Sequence, residues 1–276
     1  MTWITRSKFL RQFALGLGAT LMVAACGGQQ EEATNPSTPA GEAAAGGVLK
    51  VGTEPAFPPF ESQGPGGDLV GFDIDLFKAI GEQANLDIEF QSLPFDGLIP
   101  ALQSGSVDAA ISAMTITEER AKTVSFSRPY FKAGLAIAVQ EGNTEVKTLD
   151  DLKDKRIAVQ IGTTGAQQAA SIPGAKISTF DSAPLALQEL VNGNADAVIN
   201  DAPVTLDAIA SGNIKGLKVA GQLLTEEYYG IAMPKDSPNV EVVNQALQEI
   251  IANGTYAEIY RKWFKSEPPK LPESAF

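Results

Sequence analysis

The sequence predicts an α/β protein of two similar lobes, and three observations lead there. From Val48 onward, short β-branched runs alternate with helical patterns, as in largely parallel sheets covered by helices. The alternation restarts near Arg156. Apolar extended runs at 135–139 and 228–233 bracket this second set, so each is expected to cross between the lobes as part of a double hinge.

Taken in order, 48–51 reads as a strand and 72–84 as a helix, with Ile74, Phe77, Ile80 and Ala84 on one face. A second strand is expected over 86–90, a helix marked by Leu98, Ile99 and Leu102, and a third strand over 107–112. Thr117 followed by Glu118 and Glu119 reads as an N-cap and an acidic first turn. The second set gives strands over 156–160, 176–180 and 196–200, with helices from Thr164, over 184–192 and from Pro203. Residues 231–233 form a further strand. Val240, Val243, Leu247, Ile250 and Ile251 mark a long amphipathic helix, and Tyr256, Ile259 and Trp263 mark the last one.

Composition narrows the chemistry. The 276 residues include one Cys and no His, which removes histidine general bases, Ser-His-Asp triads, histidine metal ligands and intrachain disulfides. A formal charge of −12 argues against a surface for nucleic acid phosphates. No cofactor and no metal is expected.

The N-terminus has a different character. Arg6, Lys8 and Arg11 precede thirteen uncharged residues, 13–25, a run too short to span a bilayer but suited to a signal peptide. It ends in Val23-Ala24-Ala25-Cys26, which resembles the lipobox where bacterial lipoproteins are cleaved and acylated. Ser7 stands where a twin-arginine signal would carry its second Arg, so ordinary secretion is expected. Cleavage before Cys26 would leave 18 cationic against 33 acidic residues, a charge of −15. Residues 26–47, rich in Gly, Ala, Gln, Glu and Pro, read as a flexible linker to a lipid anchor on Cys26.

Gly71-Phe72-Asp73-Ile74-Asp75-Leu76 and Met114-Thr115-Ile116-Thr117-Glu118-Glu119-Arg120, followed by Phe126-Ser127-Arg128-Pro129-Tyr130-Phe131, carry a resemblance. They are similar to the signatures of the polar amino acid family, family 3, of extracellular solute-binding proteins, the receptors of ABC importers. Glutamine-binding and basic amino acid-binding members look most alike. The resemblance implies a two-lobed, periplasmic-binding-protein-like (type II) clam shell with two hinge strands: 48–134 with 232–276 as lobe 1, and 135–231 as lobe 2. It also implies a monomer outside the cytoplasm, lipid-anchored to a membrane, that passes a free polar L-amino acid to a membrane permease.

An amino acid zwitterion needs a cation for its carboxylate, an anion for its ammonium and neutral donors around both. Arg120 is the candidate cation, with a planar fork that grips a carboxylate in two parallel bonds. On spacing alone it reads better as an exposed helix Arg paired with Glu119 or a neighbour; the resemblance reverses that in favour of binding. Ser112, Ala113, Thr115 and Thr164 are expected donors to the ligand α-carboxylate, the last within Gly162-Thr163-Thr164-Gly165, which lacks the Lys of a P-loop. Asp201 follows a strand directly and matches the family's partner for the α-ammonium, with Ala113 beside it; its local reading is a helix N-cap.

For the ligand side chain the resemblance implies Glu54 as polar partner and Phe57 and Phe95 as flanking aromatics, which also read as ordinary core residues. Gln160 stands where some glutamine binders carry Lys. A carboxylate at 54 favours a cationic or amide side chain, leaving arginine, lysine, histidine and glutamine open. The fold also carries enzymes, and a cyclohexadienyl dehydratase-like activity would need a carboxylate such as Glu54 as general acid.

Overall fold

The computed structural model describes residues 48–276. The expected signal peptide (1–25), the linker (26–47) and lipid-modified Cys26 lie outside the described residues.

Strand β1 (Val48–Thr53) is followed by a small antiparallel meander of β2 (Ala56–Phe57), β3 (Glu61–Gln63) and β4 (Leu69–Val70). Helix α1 (Phe72–Ala84), β5 (Asp87–Ser92), α2 (Phe95–Gln103), β6 (Ala109–Ala110), the single turn α3 (Glu118–Ala121) and β7 (Val124–Phe126) complete the first run. Strand β8 (Phe131–Ala133) leads into β9 (Leu135–Gln140), β10 (Arg156–Gln160), α4 (Thr164–Ala170) and β11 (Lys176–Phe180). Then come α5 (Ala183–Val191), β12 (Ala197–Asp201), α6 (Ala202–Ala210) and β13 (Leu217–Ala220). Strand β14 (Glu227–Tyr229) returns the chain to β15 (Ala232–Pro234), α7 (Asn239–Ala252) and α8 (Thr255–Phe264).

The strands form two five-stranded sheets, ordered β5-β1-β6-β15-β7 and β11-β10-β12-β9-β13. In each, the first βα units are parallel and one strand runs against them: β15 against β6 and β7, and β9 against β12 and β13. Those antiparallel strands are where the chain enters each sheet after leaving the other. The two connections, β8 and β14, pair antiparallel with Phe131 opposite Tyr229.

This corrects one expectation. The run 135–139 is not a crossing segment but the fully buried strand β9, paired on both sides within the second sheet; the crossing is made by the shorter β8 just before it. A strand buried on both faces is apolar throughout, whereas the crossing strands β8 and β14 are short and carry Lys132 and Glu227, so an apolar run does not mark the crossing. The expected strand over 107–112 pairs only at Ala109–Ala110, because the chain turns away into the site at Ser112 and at Ala113, whose φ is 45°.

In the second lobe, alternation along β10 and β12 sends Ile157, Val159 and Ile199 into one core and Ala158 and Val198 into the other, so helices cover both faces. The first lobe packs its hinge side with aromatics. Phe131 stacks on Tyr229 with ring centroids 5.6 Å apart, and Phe60 meets Phe131 edge-on at 4.8 Å. Gly71 ends the meander at a φ of 147°, where a Cβ would collide with the Phe60 carbonyl. That close approach lets the amides of Phe72 and Asp73 donate to the carbonyls of Pro59 and Phe60, satisfying the first turn of α1 and burying Asp73 completely.

Candidate functional site

The turn after β6 and the helix α3 bring one group of predicted residues to the edge of the first lobe. Thr117 caps α3, its hydroxyl oxygen accepting from the Arg120 amide at 3.2 Å. The helix is a single turn, so it adds little dipole; what it does is aim Arg120 inward. Arg120 is 7% exposed. Its guanidinium donates to the Thr115 carbonyl at 2.7 Å and, across the cleft, to the Gly162 carbonyl at 2.9 Å, with its carbon 5.3 Å from the centre of the Phe95 ring. Glu119 pairs instead with Lys122, so Arg120 is not the exposed, Glu119-paired arginine that spacing alone allowed.

The second lobe supplies its residues from strand ends. Asp201 closes β12 and precedes α6, yet its side chain makes no capping bond; it accepts from the Tyr229 hydroxyl. Gln160 ends β10, its amide donating to Glu54 Oε2 at 3.2 Å and to the Asp181 carbonyl at 3.2 Å, while its own Oε1 is buried with no partner among the described residues. Thr163 caps α4, which places Thr164 as that helix's first residue.

Phe57, Phe95, Ala113, Thr115, Arg120, Thr164 and Asp201 thus line one cavity between the lobes, together with Gln160 and Thr163. Its volume is about 10 Å³, room for roughly one water. The lobes are closed on each other, and Arg120–Gly162 and Gln160–Glu54 are contacts that a ligand of amino acid size must displace.

Two predicted residues stand behind this lining. The Ser112 hydroxyl accepts from the Glu54 amide at 3.0 Å and donates to Glu61 Oε1 at 2.9 Å, so it braces the first lobe. Glu54 reaches the site through Gln160. Ala113 lines the cavity, but its amide donates to Asp73 Oδ2 at 2.7 Å, which leaves its carbonyl as the group able to meet an ammonium. The amides of Thr115 and Thr164 have no hydrogen-bond partner among the described residues and remain available to an anion.

Charge in the site is unbalanced. Burial pushes the Glu54 carboxyl up to about 7, with the Gln160 bond drawing it partly back. Burial likewise raises Asp201 to about 7, helped by Glu227 and opposed by Tyr229 and Arg120. Burial lowers the Arg120 pKa, while Asp201 and Glu227 hold it up. One guanidinium therefore faces carboxyls on Asp201 and Glu227, with Glu54 a third buried carboxyl beyond Gln160.

Glu227 and Tyr229 did not stand out in the sequence. Alternation along β14 buries both on one face, but Glu227 is one of two adjacent glutamates and nothing local marks it. Asp73 and Glu61 form a second unread feature: fully buried carboxyls beneath the Ser112–Ala113 turn, both raised by burial, Glu61 further by the charge of Asp73. Asp73, raised to about 6, also accepts from the Tyr130 hydroxyl at 2.7 Å.

Comparison with known proteins adds four findings. The model of the bacterial extracellular solute-binding proteins, family 3, matches residues 49–266. The probable histidine-binding protein of Neisseria gonorrhoeae is 36% identical over 255 residues, spanning 90% of this chain and 93% of that one. Among solved structures, an ancestral arginine-binding protein bound to arginine superposes with a TM-score of 0.76 at 47% identity, covering 79% of this chain and 98% of that one. The arginine-, lysine-, histidine-binding protein ArtJ of Geobacillus stearothermophilus gives 0.77 at 42%, covering 80% and 96%.

Proposed function

Because this chain belongs to family 3 of the bacterial extracellular solute-binding proteins, we propose that it captures a basic L-amino acid between its lobes and passes it to a membrane permease. The observation that carries the choice of ligand is the excess of buried carboxyls over cations around the cavity: Glu54 and Asp201 at about 7, and Glu227, against Arg120. A ligand with one carboxylate, one ammonium and a cationic side chain offsets that imbalance; a neutral side chain leaves it, and glutamate worsens it. The arginine- and histidine-binding relatives support the same class.

In this reading Arg120 and the amides of Thr115 and Thr164 hold the α-carboxylate, with Asp201 and the Ala113 carbonyl on the α-ammonium. Phe57 and Phe95 flank the side chain, whose cation meets Glu54 and the free Oε1 of Gln160. Both lobes contribute, so the full set of contacts exists only in the closed form and ligand shifts the population toward it. Lobe 1 comprises 48–134 and 232–276, and lobe 2 comprises 135–231. Cys26 carries the lipid that tethers the protein outside the cytoplasm. The protein acts as a monomer and performs no chemistry on its ligand.

Thermal unfolding against arginine, lysine, histidine, glutamine and glutamate tests this. Ligand at about a hundred times its Kd adds roughly 2.7 kcal/mol to the folded state. A basic amino acid is expected to raise Tm most and glutamate not at all. Glutamine ranking above every basic amino acid would defeat the charge argument, and no shift with any of them would defeat binding. Recovery of the ligand chemically unchanged separates a receptor from a dehydratase.

A further inference from the structure

The charge of Glu227 enters the ligand argument, but its hydrogen bonds do not. It lies on β14, one of the two connecting strands, and is 9% exposed. Its Oε2 accepts two hydroxyl bonds, from Thr115 Oγ1 at 2.7 Å and from Thr164 Oγ1 at 3.0 Å; its Oε1 accepts from Thr225 Oγ1 at 3.1 Å. Thr115 belongs to the first sheet's side of the cleft and Thr164 opens α4 on the second. One carboxylate oxygen therefore joins the two lobes.

The two bonds differ in what opening would do to them. Glu227 and Thr115 move together: around them the Ile116 amide donates to the Tyr228 carbonyl at 2.8 Å and the Gly230 amide to the Met114 carbonyl at 3.0 Å, zipping β14 to the 114–116 segment. Thr164 has no such tie to the hinge. It is held by α4, whose Gly165 packs so tightly on Ile199 of β12 that a Cβ would lie 2.6 Å from that carbonyl oxygen. When the second lobe swings away, Thr164 goes with it and the Thr164–Glu227 bond is the one that breaks. A groove of about 420 Å³, lined by Thr115, Thr164, Thr225 and Tyr228 among others, reaches Glu227, so water can then solvate the exposed carboxylate.

We propose that Glu227 is a latch: a positioning residue that fastens Thr164 to the hinge in the closed form, and so brings the Thr115 and Thr164 amides together. Holding the hydroxyls also dedicates these threonines to the ligand through their amides. The latch biases the lobes toward closure with or without ligand. Slower ligand release is a second consequence, and that part rests on the amino acid-binding reading.

The test uses the full chain with E227A, E227Q, T164V and the double variant E227A/T164V. Small-angle scattering of the unliganded proteins reports lobe opening, and stopped-flow fluorescence with arginine reports release. E227A and T164V should each increase the radius of gyration without ligand and speed arginine release by roughly tenfold, the loss of one hydrogen bond to a charged group. The double variant should go no further than E227A alone, since E227A already removes the bond that T164V removes. E227Q, which keeps an acceptor oxygen without the charge, should fall between. Unchanged scattering in T164V, which swaps near-isosteric side chains at a partly exposed site and so should fold whatever becomes of E227A, would overturn the latch; so would additive effects in the double variant. If arginine and the other amino acids fail to bind the natural protein, the ligand reading falls while the unliganded scattering still decides the latch.

Discussion

Gln160 donates its side-chain amide to Glu54 Oε2 at 3.2 Å, joining the end of one sheet's strand β10 to the loop after β1 of the other. Glu54 is held near its ionisation point at about 7, and the buried Oε1 of Gln160 has no partner among the described residues. Both oxygens are acceptors waiting for a donor-rich, cationic group.

Replacing Glu54 by Gln should therefore weaken arginine and lysine by about 2 kcal/mol, the scale of a buried hydrogen bond to a charged group, while changing glutamine much less. Isothermal titration across the panel reads the ranking. An unchanged order would remove Glu54 from the specificity pocket.

The same carboxyls set the pH response. Glu54 rises from 4.5 to about 7 and Asp201 from 3.8 to about 7, so the folded protein keeps protons that the unfolded chain has already released. Stability of the unliganded protein should then fall as pH climbs from about 3.8 to 7 and level off above. Asp196, whose pKa is depressed by the Arg156 ion pair, works in the opposite sense, but below the ordinary carboxylate range. A cationic ligand binds the ionised carboxylates, so its Tm shift should grow through pH 7 with proton release, visible as buffer-dependent heats in titration. A Tm that rises over this interval without ligand would contradict the burial of both groups.

Asp201→Asn and Arg120→Ala should part company in stability while both lose binding. The Asn keeps an acceptor for the Tyr229 hydroxyl and removes a carboxylate that is only about half ionised at pH 7, so unfolding without ligand should be unchanged or slightly delayed. Removing Arg120 leaves Asp201 and Glu227 buried without their cation and should lower Tm. Each should cost more than tenfold in amino acid affinity. Retained affinity in Asp201→Asn would displace Asp201 from the ammonium site.

Asp73 carries structure beneath the site. Its Oδ2 accepts from the Ala113 amide and the Tyr130 hydroxyl, both at 2.7 Å, and holds the turn on which Ala113 adopts a φ of 45°. Asp73→Ala strands two buried donors and should cost about 2–4 kcal/mol in chemical denaturation, with Asp73→Asn milder because one acceptor survives. A loss under about 0.5 kcal/mol for the Ala variant would show that the turn does not depend on this carboxylate.

Most regular elements were legible in the chain, because helix and strand periods follow from local geometry. The 3.6-residue spacing of Ile74, Phe77 and Ile80 found α1 at Phe72–Ala84, and the β-branched runs found β10 and β11. The same patterns put Thr164 and Asp201 at strand or helix ends, where ligand crevices form in α/β sheets. Which segment crosses between lobes was not legible: the crossings are the three-residue strands β8 and β14, which carry Lys132 and Glu227, and the longer apolar run β9 is defined by the strands that flank it.

The carboxyl network needed the folded chain for a related reason. Glu227 acquires its role from Thr115, 112 residues away, and Thr164, 63 away; Asp73 acquires its own from Ala113 and Tyr130. Residue type states that a side chain can ionise. Whether it is buried, what donates to it and which lobe it ties down depend on contacts between segments far apart in sequence, and those fix both its pKa and its task.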